Sequence, residues 1–387
     1  MIPALFLQSE IKDPYAQYER MLQKQPVYWD SVHCLWAIYS YEGCRSVLCN
    51  PEAFIPQAAQ QNQDGLNEHA CAIIDRLARL SNGPRHEAAR QAVMLLFEYI
   101  RTMDIEPIVG DKLLKETDWA DTVCKHLPVM TVAQCFGMSE SDSRAIADSL
   151  DQLVAIMLPA RTAEQVKGIN AVATNIYHLV EKHLLNADFY KNMSAAIRER
   201  HPAGDKEIAA LLTGNLVGLF IQSYDAGRGL LGNALLQMLR NESLERDHFT
   251  HPEYVEKIVV ETLRFDPPVQ HTRRVATADM EIHGTPVKKG DTLLLVLAAA
   301  NRDPARFALP GIFNVERNNN HDHLTFGAGG HRCPAGRFAA QLAGYCLSYL
   351  FCRYNNIQLL DRDISYETLM NVRIPKHIFI TLQKGIL

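Results

Sequence analysis

The chain has 387 residues, of which 47% are hydrophobic and 21% charged, a composition that argues against a disordered protein. A formal net charge of −5 without any basic stripe argues against nucleic-acid binding. No segment approaches the ~20 apolar residues of a spanning helix, and the first residues do not resemble a secretory signal, so we expect no membrane association and no secretion.

The nine cysteines are scattered, odd in number and without any Cys-x-x-Cys pair. This pattern favours reduced thiols, and therefore a cytoplasmic location, over a disulfide framework. The length alone allows two or three domains. Because no linker, low-complexity tract or internal repeat divides the sequence, we predict a single domain over residues 1–387.

The N-terminal part mixes short helices and strands. A helical stretch begins at Tyr15 and stops before Pro26, two aromatic and β-branched runs at 27–30 and 35–40 predict strands, and 41–48 predicts a helix. Helices then dominate as far as Arg240, because apolar residues recur at intervals of three and four. The longest such run, 211–239, is apolar on most sides and is predicted to cross the core.

The hydrophobic pattern changes after a helix predicted over 255–265. Residues 273–300 alternate in polarity and contain His-Gly and Lys-Gly turn signals, which predict two or three strands and then the start of a helix. A final helix is predicted from Cys333 to about Tyr354, and the tail from Ile357 is strand-like. The expected fold class is therefore mainly α with a minor β part.

The segment FGAGGHRCPAG, residues 326–336, contains the one cysteine whose context demands an explanation. Its four glycines permit backbone turns closed to other residues and let a flat ligand approach the main chain. Pro334 suits the first position of a helix, which places Cys333 at a helix N-terminus, where the dipole favours a thiolate. Such a thiolate suits iron ligation. A buried structural cysteine is the alternative, and it leaves the glycines unexplained.

This segment resembles the haem-binding signature of the cytochrome P-450 family, F-G-x-G-x-H-x-C-x-G. The matching residues are Phe326, Gly327, Gly329, His331 and Cys333. The last glycine of the signature falls on Ala335, and Gly336 comes one residue late. The resemblance implies the cytochrome P-450 fold, with a single large helix-rich domain and a small β region. It also implies haem b as the cofactor, with Cys333 as the axial iron ligand and Phe326, Gly327 and His331 beside it.

A second element of the resemblance is Glu261-Thr-Leu-Arg264, which is similar to the family's Glu-x-x-Arg pair and is followed by Phe-Asp-Pro-Pro. Residues three apart share a helix face, so the two charges can pair. The family adds an arginine in the loop before the cysteine segment, and Arg317 occupies that place. The resemblance implies a buried, structural cluster of Glu261, Arg264 and Arg317 rather than a catalytic one.

Haem carries two propionates, which require cationic or hydrogen-bonding partners. His86 and Arg90, four residues apart, resemble the family's His-x-x-x-Arg propionate pair. Arg274 resembles the arginine of the strand that follows the Glu-x-x-Arg helix, and His331 is the fourth candidate. Arg273 could compete with Arg274, because neighbouring residues of a strand point to opposite faces.

The central helix departs from the family, whose members usually carry an acid followed by a threonine over the haem. Aligning GNALL, residues 232–236, with the end of that helix makes Asp225 the catalytic acid and replaces the threonine by Ala226. A second register puts Gly229 and Leu230 at these two sites. The alternative interpretation of Asp225 is a solvated or paired helix carboxylate. Without the alcohol, protons would come from Ser223, Gln222 or the substrate.

The leading hypothesis is a monooxygenase that oxidises a small organic molecule in specialised metabolism with O₂ and electrons from a ferredoxin or flavodoxin and its reductase. Absence of the threonine leaves open an atypical haem-thiolate reaction, such as oxidative coupling, nitration, peroxide-driven oxidation or rearrangement. A non-catalytic haem-binding protein is the third hypothesis. Gln270 and His271, on a predicted pocket wall, hint at a functionalised substrate.

Overall fold

The computed structural model describes residues 3–57, 62–100, 104–110, 113–158 and 160–384. The helices of this part of the chain are Tyr15–Lys24 (α1), Tyr41–Cys49 (α2), Glu68–Arg76 (α3), Gly83–Glu98 (α4), Glu106–Val109 (α5), Leu127–Cys135 (α6), Glu140–Leu153 (α7), Ala163–Asn186 (α8), Tyr190–Arg200 (α9), Asp205–Arg240 (α10), Pro252–Phe265 (α11), Leu297–Ala300 (α12) and Gly336–Arg353 (α13). The strands are Val27–Asp30 (β1), Leu35–Ile38 (β2), Ala53–Phe54 (β3), Glu116–Asp118 (β4), Thr272–Ala276 (β5), Met280–Ile282 (β6), Thr285–Val287 (β7), Thr292–Leu295 (β8), Asn356–Leu359 (β9) and Phe379–Gln383 (β10).

Several helices begin at polar residues whose side chains accept a hydrogen bond from the first turn. Ser40 caps α2, Asn67 caps α3 and Ser139 caps α7 in this way. Thr162 and Gln165 form a reciprocal capping box at the start of α8. None of the described helices is both long enough and apolar enough to cross a membrane.

The chain divides into two compact units. One unit comprises Met1–Phe54, Val109–Lys125 and Asp225–Leu387, and the other comprises Ile55–Ile108 and His126–Tyr224. The second unit is helical, with α8 contacting α3 and α7. The prediction of a single domain over the whole chain stays a prediction.

The first unit contains the described sheets. Its largest sheet has the strand order β1-β2-β8-β5-β3, in which β2 and β8 are parallel and the other pairs antiparallel. On one face, Leu293 and Leu295 pack with Leu48 of α2 and Ala328 of the cysteine segment. On the other face, Leu294 packs with residues of α1. One sheet face therefore supports the cysteine segment.

The region after α11 differs in detail from the sequence prediction. It forms four strands instead of two or three, because β6 and β7 are three-residue strands joined by a tight turn at His283 and Gly284. Both turn residues have positive φ, 48° and 73°, as the favoured two-residue hairpin turn requires.

The last helix begins later than predicted. α13 starts at Gly336 with Ala335 as its N-cap, so Cys333 precedes the helix and Pro334 is not its first residue. The ring of Pro334 disfavours helical backbone at the residue before it, which accounts for Cys333 lying outside the helix. The strand-like tail contains β9 and β10, with irregular chain between them.

Candidate functional site

Cys333 lies in a tight loop that its own backbone closes. Its N–H donates to the carbonyl oxygen of Phe326 at 2.8 Å, and the N–H of Gly327 donates to the carbonyl of Leu324 at 2.7 Å. Gly327 and Gly329 have φ of 69° and 65°, the left-handed region that favours glycine. The cysteine is exposed. The glycines of the segment thus form the turn that presents the thiol.

The loop lies directly against the end of α2. A Cβ at Gly329 would lie 2.5 Å from the carbonyl oxygen of Leu48 and 3.1 Å from Cα of Cys49. A Cβ at Gly336 would lie 2.9 Å from the ring of Phe326. The glycine that this packing requires is therefore Gly336, which explains why the signature position itself can hold Ala335.

Gly329→Ala is expected to destabilise the loop by about 2 kcal/mol or more, because the substitution adds left-handed strain to a clash with backbone atoms. Haem content and the carbon monoxide spectrum of the reduced protein measure the effect. Gly330→Ala is the matched control, since a Cβ there meets no atom within 4 Å. Equal haem content in the two variants would contradict this reading of the loop.

The residues fit a flat iron cofactor. The only side-chain donor of the loop that suits iron as a soft ligand is the exposed thiol of Cys333. Beside Gly327 a Cβ would meet only backbone atoms, at 3.8 Å or more, so a planar ring can approach the main chain there. His331 is half-buried at the end of the short turn Gly329–His331, in the same segment.

Strand pairing separates the two candidate arginines of β5. Arg274 lies opposite Leu293 and Arg273 opposite Leu294. Because directly opposed residues share a face, Arg274 is on the face that supports the cysteine segment and Arg273 on the face of α1. Arg274 is 4% exposed, and its Nη1 donates to the carbonyl of Arg273 at 2.8 Å. Of the two arginines, Arg274 is therefore the one on the sheet face of the cysteine segment, and its role towards the cofactor stays a prediction.

His86 and Arg90 belong to the other unit. Both are half-buried on α4, one turn apart. Burial, and then the charge of Arg90, lower the pKa of His86 below its ordinary value. A neutral imidazole beside a cationic guanidinium can donate hydrogen bonds to an anion such as a propionate.

Glu261, Arg264 and Arg317 lie together. Arg264 makes a bidentate ion pair with Glu261, at 2.9 and 2.6 Å, and both side chains are 0% exposed. Nε of Arg317 is 3.8 Å from the same carboxylate. The backbone N–H of Asn314 also donates to Glu261, at 2.9 Å. The cluster therefore ties α11 to the loop between α12 and the cysteine segment.

Asp225 is an ion-paired carboxylate. Its Oδ1 lies 3.1 Å from Nη2 of Arg228, and Nη1 of Arg228 lies 3.3 Å from Oε1 of Glu367. The pairing agrees with the alternative interpretation of Asp225 as a paired helix carboxylate. A role in proton delivery stays a prediction. Gly229 has no room for a side chain, since a Cβ there would lie 2.7 Å from Pro268. Position 229 is therefore suited to glycine, and the choice between the two registers stays a prediction.

The neighbouring polar residues of α10 bond to their own helix. Ser223 Oγ donates to the carbonyl of Phe220 at 3.0 Å, and Gln222 Nε2 donates to that of Gly218 at 2.9 Å. Either group has to break a local bond before it can serve another acceptor.

The two polar residues of the predicted pocket wall make structural contacts. Gln270 is 0% exposed, and its Nε2 donates to the carbonyl of Pro267 at 2.7 Å. His271 bonds the carbonyl of Met370 at 3.0 Å, and burial lowers its pKa to about 4. These contacts account for the polarity of both residues, and a functionalised substrate stays a prediction.

Sequence reasoning assigned no role to Asn301 and Thr325, which are buried between α11 and the cysteine segment. The sequence signal that could have indicated Asn301 is its position as a polar residue directly after the apolar run Leu293–Ala300. Its partners are distant in the sequence, so no local spacing identified them.

The chain is similar to known proteins over nearly its whole length. A cytochrome P-450 family model matches residues 233–382. Cytochrome P-450 109 of Bacillus spizizenii is 25% identical, over 95% of this chain and 92% of the relative. The biotin biosynthesis cytochrome P-450 of Bacillus subtilis is 23% identical, over 96% of this chain and 97% of the relative. The crystal structure of CalO2 has a TM-score of 0.81 at 21% identity, covering 98% of this chain and 99% of the other.

Proposed function

The chain belongs to the cytochrome P-450 family of monooxygenases and its cofactor is haem b, and from this premise we propose that Cys333 supplies the thiolate ligand of the iron. The observation that carries the proposal is an exposed thiol in a glycine turn that rests on one face of the largest sheet. When bound, haem activates dioxygen with two electrons, so that one oxygen atom enters the substrate and the other leaves as water.

The chain's own residues then have distinct proposed tasks. Phe326 and Gly327 shape the loop around the thiol, and His331 and Arg274 hold one side of the haem. His86 and Arg90 serve the propionates as a histidine–arginine pair. Glu261, Arg264 and Arg317 are structural and stabilise the chain that leads into the loop.

The proposed electron donor is a separate ferredoxin or flavodoxin with its reductase. Support comes from exposed cations near Cys333: Arg332 and Arg337 flank it, and Arg45 lies on α2, against which the loop packs. Cationic groups steer an acidic partner towards the thiolate side. We place the enzyme in the cytoplasm, in agreement with its nine free cysteines.

The proposed substrate is a small organic molecule of specialised metabolism. One solved neighbour, with a TM-score of 0.78, is described in complex with hexadec-9Z-enoic acid ligated to acyl carrier protein, so a carrier-bound substrate is included in the test. Turnover with a surrogate ferredoxin system and NADPH tests the function, after ligands are screened for a spin-state shift of the haem band. Reduction and ligand binding without any product would contradict it.

Ala226 at the alcohol position favours a second candidate, a haem-thiolate reaction that does not need ordinary dioxygen scission. In this case peroxide supports turnover in place of NADPH and O₂. Product formation with peroxide alone, at a rate equal to or above that of the NADPH system, would favour this candidate.

If Asp225 delivers protons, Asp225→Asn is expected to lower product formed per NADPH consumed roughly tenfold, because the amide cannot transfer a proton. The fold should be retained, since Arg228 keeps Glu367 as a partner. Ala226→Thr is expected to raise the same ratio by restoring the alcohol.

Glu367→Gln is the matched control, because it removes the other partner of Arg228 and leaves the proposed acid in place. Its coupling should equal that of the wild type. If Asp225→Asn leaves both rate and coupling unchanged, Asp225 has no part in proton delivery.

A further inference from the structure

One carbonyl in the last turn of α11 lacks its helical partner. The carbonyl of Leu263 would accept from the residue four positions later, which is Pro267 and has no N–H. Two side chains donate to it instead: Nδ2 of Asn301 at 3.3 Å and Oγ1 of Thr325 at 2.6 Å. The end of α11 is thus completed by residues from two later segments.

Asn301 and Thr325 also bond to each other and to the chain that leads into the cysteine loop. Nδ2 of Asn301 donates to Oγ1 of Thr325 at 2.8 Å. Oδ1 of Asn301 accepts from the N–H of Leu324 at 2.6 Å. Asn301 is 0% and Thr325 8% exposed, so these bonds are made away from water, where an unmade one is costly.

From Leu324 and Thr325 the connection to Cys333 is short. The carbonyl of Leu324 accepts from Gly327, and the carbonyl of Phe326, the residue after Thr325, accepts from the N–H of Cys333. The direction of the Phe326 carbonyl follows from the backbone of 324–326, which Asn301 and Thr325 hold. The segment that Asn301 and Thr325 bind is therefore hydrogen-bonded to the backbone of Cys333.

The other end of the network reaches the ion-pair cluster. Nη1 of Arg264 donates to the backbone carbonyl of Asn301 at 3.1 Å, while its Nε and Nη2 bond Glu261. A continuous set of buried hydrogen bonds thus runs from the cluster through Asn301 to the loop of the thiol.

We propose that Asn301 and Thr325 are positioning residues that transmit the rigidity of α11 to the cysteine loop and keep the thiolate of Cys333 on the haem iron. The proposal rests on the proposed ligand role of Cys333. It implies that the two residues act on the persistence of thiolate ligation, beyond any general contribution to stability.

Thr325→Val tests the proposal, because it removes the hydroxyl and keeps the shape. The red-shifted Soret band of the reduced carbon monoxide complex is expected to decay to a shorter-wavelength form about tenfold faster than in wild type. Thr325→Ser should restore the wild-type rate by restoring the hydroxyl.

Thr262→Val is the matched control. Thr262 is a fully buried threonine of α11 whose hydroxyl donates to the carbonyl of Ile258 at 2.8 Å, within the same helix. The Thr262→Val variant should leave the decay rate of the red-shifted Soret band unchanged. Asn301→Ala removes three hydrogen bonds at once and is expected to unfold the protein, so the comparison of Thr325→Val with Thr262→Val is the test.

A second measurement is independent of the spectrum. Hydrogen exchange at the Cys333 amide of the haem-loaded protein should be faster in Thr325→Val than in Thr262→Val. Equal band decay and equal exchange in the two variants overturn this inference alone. A wild type that never shows the red-shifted band overturns the proposed role of Cys333 instead, so the two failures are distinguishable.

Discussion

Glu261→Ala is expected to yield little haem-loaded protein. Removal of one partner of a buried ion pair costs ~3–5 kcal/mol, because the other charge is left uncompensated. Arg264 would keep its bonds to the carbonyls of Asn301, Pro310 and Ile312 but lose its only bidentate carboxylate contact in the described structure. Haem content and denaturant unfolding measure the loss.

Glu316→Ala is the matched control for this variant. Glu316 pairs at 2.9 Å with Lys257 of the same helix, α11, but both side chains are exposed. Exposed pairs of this kind add little to stability, so normal haem loading is expected. A Glu261→Ala protein that folds, holds haem and merely turns over slowly would show that the cluster is not structural.

Cys333→Ser is expected to abolish monooxygenase turnover and leave the apoprotein fold intact. The side chain is exposed, and the loop bond to Phe326 is made by the backbone N–H, which serine keeps. The free energy of unfolding of the apoprotein should change by no more than about 0.5 kcal/mol. NADPH-dependent product formation and denaturant unfolding measure the two effects.

Cys352→Ser serves as its control, being an exposed cysteine of α13 whose Sγ contacts the carbonyl of Thr250 at 3.6 Å. We expect it to retain wild-type turnover. Loss of activity in both cysteine variants would indicate a general sensitivity to thiol removal, with no special role for Cys333.

The parts of the fold with strong local signals could be predicted from the sequence. The predicted helical run 211–239 lies within α10, Asp205–Arg240, and the helix predicted over 255–265 corresponds to α11. The predicted start of α13 at Cys333 was wrong, since the helix begins at Gly336. Proline disfavours helical backbone at the residue before it, which accounts for Cys333 lying outside the helix.

The site could be predicted only as far as its residues are close in sequence. The spacing of three residues predicted the Glu261–Arg264 ion pair. The same spacing separates Asp225 from Arg228, but this ion pair was not predicted, because Asp225 was interpreted as the acid of a proton relay. Glu367, Asn301 and Thr325 could not be assigned, because their partners lie 139, 38 and 62 residues away along the chain. Such contacts exist only once the tertiary fold brings the segments together.

The carbon monoxide spectrum of the reduced protein tests the central claim most directly. The purified wild type should show the red-shifted Soret band that is typical of thiolate coordination, and Cys333→Ser, loaded with haem, should lack it. A Cys333→Ser protein that keeps this band would contradict the assignment of Cys333 as the iron ligand.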